Sequence, residues 1–365
     1  MKIILLNALY FFLLFYSSWA LTDDTCQLVE STEQLLLAVK QHTTEPSISI
    51  CLAEGVYQLE QTLAITRPHL SIYSLSNDPT KVILQGRGMR ANKGVDNLIW
   101  VGASHFRIKG VTLRAVGNHL IQVSGAHDAD FFSMSDCILQ DAYQQLFKVS
   151  KDPQGKVSAD YGVIERTIFE YTQGIGPNWY IGGVDVHTGQ HWIVKDNAFF
   201  NIASGIKHIA EPAIHFWSKA KDTKVIGNLV VDSDRGIGFG MAKSKHYGGE
   251  ISNNFVYHRA YTFEQRPFAD VGIILESATN AIVQSNIVYL ESGYPNAIEY
   301  RYPSLDENLI THNLTNKKIR QRDFGRAKRV ANQQVDDQAF FKSKLNKYIQ
   351  LHPLESLITK RLQIQ

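Results

Sequence analysis

Four side chains capable of acid–base work sit in short apolar segments of one shape. Lys148 lies in Phe147-Lys148-Val149, Asp185 and His187 in Val184-Asp185-Val186-His187, and His215 in Ile214-His215-Phe216. Each polar residue alternates with apolar ones, as on a strand with one buried face. A lysine, a carboxylate and two imidazoles gathered on one outer face have the parts for chemistry at a carbon next to a carboxylate. A cation neutralises that carboxylate, a base removes the adjacent proton, and an acid serves the leaving oxygen or the opposite ring face. His187 is the better base, because Asp185 can orient and tune it. Lys148 or Arg301 supplies the cation.

The inward pairs Ile121/Val123, Phe147/Val149, Val184/Val186, Ile214/Phe216, Ile237/Phe239, Ile273/Leu275 and Ile298/Tyr300 set the register of these segments. The residues between and after each pair then face outward. Besides the four named above, the outward set contains Trp217, Gly238, Gly240, Glu276, Glu299 and Arg301. Trp217 offers a stacking face for a sugar ring, and the two glycines a bare floor beside the cluster. Glu276, Glu299 and Arg301 extend the strip, with Arg301 as an auxiliary cation and the two glutamates as substrate contacts. Tyr180, in a loop close to Asp185, is a further candidate contact. A polar surface ladder without chemistry is the plainer alternative, with about equal claim on Glu276, Glu299 and Arg301.

These segments belong to a repeat. Corners centred on residues 110, 136, 167, 197, 228, 254, 286 and 313 recur at steps of 26 to 32 residues. That period, filled with short alternating strands and Gly or Asn punctuation, predicts an all-β fold: a parallel β-helix of about eight recognisable coils. Asn197, Asn228, Asn254, Asn286 and Asn313 share one corner. Asn tolerates the left-handed backbone of a tight corner, and stacked amides can bond along the solenoid. At roughly 4.8 Å per coil the rod is about 40 Å long.

Both ends need covering. Ser31-Thr32-Glu33-Gln34 opens a helical N-terminal cap with a capping box. From Lys317 to Arg329 seven Lys or Arg stand against one acid, Asp323, which reads as a solvated, partly irregular edge. Residues 338–365 read as a helical C-terminal cap. The domain plan is therefore a signal peptide at 1–20, a β-helix with its cap at 21–316, and a basic edge with C-terminal cap at 317–365. The signal peptide is read from Lys2, the apolar run Ile3 to Tyr16 and the small residues around Trp19. It predicts a secreted or periplasmic protein with no integral membrane segment after cleavage. Cys26 and Cys51 flank the first helical segment, where pairing is open; Cys137 reads as a buried, inert thiol. The 365 residues are 44% hydrophobic and 20% charged, with a net charge of +2. That balance gives no reason to expect nucleic acid.

The coils from about 100 to 316 resemble the pectate-lyase-like superfamily of right-handed parallel β-helices, in particular proteins of the chondroitinase B, alginate lyase and alginate epimerase type. Gly183-Val184-Asp185-Val186-His187 followed by Asn197 is similar to the Asp-Pro-His coil of alginate epimerases, with Val186 in place of Pro. The resemblance implies catalytic roles for Asp185, His187 and Lys148. Ile214 to Lys219, followed by Asn228, is similar to the catalytic-lysine coil of chondroitinase B-type lyases, with Lys219 at the lysine. Their calcium-binding acidic pair is replaced here by His215 and Trp217, so no metal or other cofactor is expected. The expectation is a monomeric polysaccharide lyase acting on a uronate-containing polysaccharide by β-elimination. The alternatives are a non-catalytic glycan- or envelope-binding surface protein and a uronate epimerase.

Overall fold

The computed structural model describes residues 26–41, 45–90, 96–205, 208–260 and 269–364. The signal peptide lies outside them. Among the described residues the body consists of three all-parallel sheets of 12, 11 and 10 strands, here sheets I, II and III. A fourth, three-stranded sheet joins Ala220–Lys221, His246–Tyr247 and Ala278–Thr279. Each coil adds one strand to each main sheet, because parallel neighbours require a long return path.

The register of sheet III follows the alternation. Ile121 pairs with Phe147, then Val184, Ile214, Ile237, Ile273 and Ile298. These side chains are buried in one continuous core with Phe216, Phe239 and Tyr300. A slip of one residue would turn this set to solvent, so burial locks the pairing. The same locking sets Lys148 beside Asp185 and Asp185 beside His215.

The asparagine ladder forms, by a different division of labour. Asn197 Nδ2 donates to Asn228 Oδ1 at 3.0 Å, and the pattern continues through Asn254, Asn286 and Asn313 at 2.9 Å. The left-handed residue is the one before each: Asp196, Gly227, Asn253, Ser285 and His312, with φ between 53° and 67°. The ladder Asn spends its side chain on buried amides, and its neighbour makes the turn. One more rung, Asn332, accepts from Asn313 at 2.9 Å.

Asn332 belongs to the basic segment, which forms regular structure. Lys318–Arg322, Ala327–Val330 and Gln333–Gln334 are the last strands of sheets III, I and II, so the solenoid runs to Gln334 and not to 316. Lys and Arg on a terminal strand discourage edge-to-edge pairing. They also make this end unsuitable for burying an apolar helix. The C-terminal helices α2 (Gln338–Leu351) and α3 (Glu355–Ile364) accordingly do not cap it. They lie along the outside of sheet II, where Phe341, Leu345, Ile349, Leu354 and Ile358 cover Ile138, Ile168, Leu229, Phe255 and Tyr289. Tyr348 Oη donates to the Asn228 and Asn253 carbonyls at 3.1 Å, and Arg361 pairs with Glu170.

At the other end, helix α1 (Thr32–Lys40) follows Ser31, whose Oγ accepts from Gln34 N at 3.2 Å. Gln34 Oε1 accepts from the amide of Glu30, closing the cap. Cys26 and Cys51 form a disulfide. Cys137 is free and buried, and burial pushes its pKa up to about 12, which leaves the thiol inert.

Candidate active site

Sheet III holds Lys148, Asp185 and His187 on adjacent strands with their side chains in contact. The Lys148 ammonium donates to Asp185 Oδ2. It lies 2.8 Å from His187 Nε2 and 3.5 Å from the Tyr180 hydroxyl. An ammonium has three protons and no lone pair, so these three acceptors use it up. His187 Nε2 therefore carries the lone pair, and Nδ1 holds the proton. Asp185 Oδ1 accepts from Trp217 Nε1 at 2.8 Å.

Burial raises the stakes of each contact. Lys148 is 6% exposed, Asp185 1% and His215 2%, so an unpaired charge here would be expensive. Burial opposes the Lys148 ammonium, but Asp185 and Tyr180 outweigh it and hold its pKa above the ordinary value. Burial would likewise raise the Asp185 pKa; Lys148, His187 and His215 reverse this and hold it far below the carboxylate range. Burial dominates at His187 and keeps its pKa below 6.5, although Asp185 pulls the other way. At neutral pH the cluster thus pairs a permanent cation and a permanent anion with a neutral imidazole.

His215 is held differently. Nε2 lies 3.1 Å from the Gly240 carbonyl, Nδ1 3.1 Å from Glu211 Oε2 and 3.9 Å from Asp185 Oδ1. All three are oxygens able to accept, so the surroundings of both nitrogens favour the doubly protonated ring. The Nδ1 contact with Glu211 is an ion pair without hydrogen-bond alignment. Burial lowers the His215 pKa, but Glu211 and Asp185 overcome it and the net direction is upward. Trp217 stacks on this ring at 5.5 Å and 5°, and meets His187 edge-on at 4.2 Å. The indole therefore acts first as a brace for Asp185 and the two imidazoles, and its face is partly covered.

Several sequence expectations change. Gly238 and Gly240 are not an open floor. A Cβ on Gly238 would lie 2.9 Å from Pro212 Cγ and 3.3 Å from His215 Cδ2, so this glycine makes room for the His215 ring. Gly240 (φ 77°) turns the chain against the Glu276 carbonyl. Glu276, Glu299 and Arg301 do not join the cluster. Arg301 shares the row of His187 but stands four strands further on, roughly 19 Å away. It is tied to Glu276 at 3.2 Å and Asp323 at 2.7 Å. Glu299 is 1% exposed and bound by Tyr294, Asn296 and Arg322. Tyr180 does reach the cluster. Glu211 and His119 are additions. Burial, and then Lys148, push His119 down to about 3. Both come from corners flanking the strands, where alternation gives no direction, so no periodic signal could have found them. Among the described residues no group of three or more His, Cys, Asp or Glu could hold a metal ion, and no helix is long and apolar enough to cross a membrane.

No family model matches the sequence, and no curated protein matches it. Solved structures do match its fold. An alginate lyase from Paenibacillus superposes with a TM-score of 0.51 at 13% identity, over 84% of this chain and 94% of that one. The A-module of an Azotobacter vinelandii mannuronan C-5 epimerase gives 0.52 at 9% identity, over 85% and 92%. The catalytic unit of a Streptomyces thermodiastaticus α-1,3-glucanase gives 0.51 at 10% identity, over 86% and 67%. With the sheet topology, these matches define the chain as a right-handed parallel β-helix protein. Activities as different as those three share the scaffold, so function has to be argued from the site.

Proposed function

We propose that the protein is an exported polysaccharide lyase that breaks a uronate-containing polysaccharide by β-elimination. The carrying observation is the buried contact of Lys148 with Asp185, His187 and Tyr180. An incoming uronate carboxylate competes for the Lys148 ammonium. As the ammonium turns toward it, His187 Nε2 is uncovered and takes the C5 proton. The C5–H electrons form the C4–C5 double bond, and the C4–O bond breaks. The leaving oxygen takes a proton from the Tyr180 hydroxyl. Asp185 stays ionised throughout and holds Lys148 and His187 in place. The alginate lyase among the structural neighbours supports this choice of substrate class. The Cys26–Cys51 disulfide suits an oxidising compartment, in agreement with a leader at 1–20 and a secreted or periplasmic location.

The position of Tyr180 favours one second reading. Delivery of a proton to C5 from the opposite ring face, without C4–O cleavage, gives C5 epimerisation, the activity named for another neighbour. Alginate, polygalacturonate and glycosaminoglycans separate the readings. A rise in ultraviolet absorbance from new C4–C5 double bonds supports elimination. A change in uronate composition at constant chain length supports epimerisation. Neither on any polymer, with His187→Ala behaving as wild type, removes both.

A further inference from the structure

We infer that Trp100 forms a sugar-stacking subsite on the same face, so that a glycan chain extends from Lys148 over Gln122 to Trp100; this rests on the reading of the cluster as a glycan site. Trp100 pairs in register with Gln122, and Gln122 with Lys148. The three share one outward row, and Trp100 lies two strands from Lys148, roughly 10 Å, so a disaccharide seated over Lys148 and Gln122 ends short of the indole and a longer chain reaches it. Its neighbours Ile99 and Val101 are buried in the core, so the indole is not a core residue.

Its conformation is built. An outward aromatic on a strand ordinarily stands into solvent. Here the ring folds back over Gly102, where a Cβ would lie 2.2 Å from Trp100 Cη2 and 2.5 Å from Cζ3. The His127 ring closes on it edge-to-face at 5.0 Å and 89°. His127 is itself held by Ser124, with Nδ1 and Oγ 2.8 Å apart. The indole is therefore a half-buried plate fixed before any ligand arrives. Between plate and lysine lies Gln122, held by an amide chain from the segments before the strands: Asn118 Nδ2 donates to Asn97 Oδ1 at 2.8 Å, and Asn97 Nδ2 to Gln122 Oε1 at 2.5 Å. This occupies the Gln122 oxygen and leaves its NH2 as the donor. A rigid apolar plate beside an oriented amide suits the C–H face and hydroxyls of a pyranose. The groups are uncharged, so this subsite reads the sugar ring, whereas the cluster at Lys148 reads the carboxylate.

The test is calorimetric titration in a His187→Ala background, which prevents turnover. The probes are mannuronate, guluronate and galacturonate di- and hexasaccharides, with cellohexaose as the neutral control. Trp100→Ala weakens hexasaccharide binding about tenfold, or roughly 1.4 kcal/mol, and disaccharide binding less than about twofold. Trp100→Phe recovers most of the loss. Gly102→Ala, which keeps the indole but displaces it, reproduces the loss and serves if Trp100→Ala fails to fold. Hexasaccharide binding unchanged in Trp100→Ala and Gly102→Ala overturns the subsite alone, as does an equal loss for both chain lengths. Binding of cellohexaose only, still sensitive to Trp100, upholds the subsite and overturns the uronate reading. No binding of any hexasaccharide overturns both.

Discussion

His187 and His215 are the same residue type on adjacent strands of sheet III, one coil apart, and their surroundings shift their pKa values in opposite directions. His187 faces an ammonium and burial lowers its pKa, which favours the neutral ring as a proton acceptor; His215 faces carboxylate and carbonyl oxygens and its pKa is raised, which favours the cation. The acid limb of kcat/KM is therefore expected below 6.5, since activity needs neutral His187 and its pKa lies under that value. A limb above 6.5 on the wild-type profile would contradict this assignment. Glu211 positions His215, and Glu211→Gln removes the largest influence that raises it. The expected result is a lower His215 pKa, read from the imidazole NMR signals, with weaker turnover; an unmoved His215 titration argues against the pairing. Strand alternation made Lys148, Asp185, His187 and His215 legible in the sequence. Tyr180 was legible only through its nearness to Asp185. Glu211 approaches from a corner, and its contact with His215 is made by folding.

The repeated element explains both the success and the errors of the sequence reading. Register follows from hydrophobic alternation because a one-residue slip exposes a whole row. Corner chemistry is subtler. Asn254 is 1% exposed; its amide donates to Asn286 and Val225, and its oxygen accepts twice from Asn228. Asn254→Ala leaves several buried partners unsatisfied and is expected to cost about 3 kcal/mol, measured by urea unfolding. Asn253→Gly, in the left-handed position, is expected to be nearly neutral or stabilising. A large loss at Asn253 with none at Asn254 would reverse the roles assigned to the pair. The last coil escaped the sequence reading because its Lys and Arg mask the alternation; Ile319 and Ala327, packed against the core, and Asn332 in the ladder carry the pattern there.

For the whole molecule, the chief discrepancy was the place of the C-terminal helices. Their apolar stripe was visible, but a stripe does not name its partner. The partner is the outer face of sheet II, whose Ile138, Ile168, Leu229 and Phe255 would otherwise face water. A chain ending at Gln334 exposes this face and is expected to bind an apolar dye strongly and to aggregate. A soluble, dye-silent truncation with an unchanged melting temperature would show that the helices are dispensable. The solenoid supplies a rigid frame across which cluster and indole plate sit at defined strand spacings. The central claim is that this frame aims His187 at a proton beside a carboxylate. Incubating alginate, polygalacturonate or a glycosaminoglycan with the protein in D2O tests it by NMR of H5. Loss of H5 by elimination, or its replacement by deuterium, is predicted for the wild type and at least a hundredfold less, order of magnitude, for His187→Ala. An H5 signal untouched on every polymer, or lost equally with His187→Ala, would contradict it.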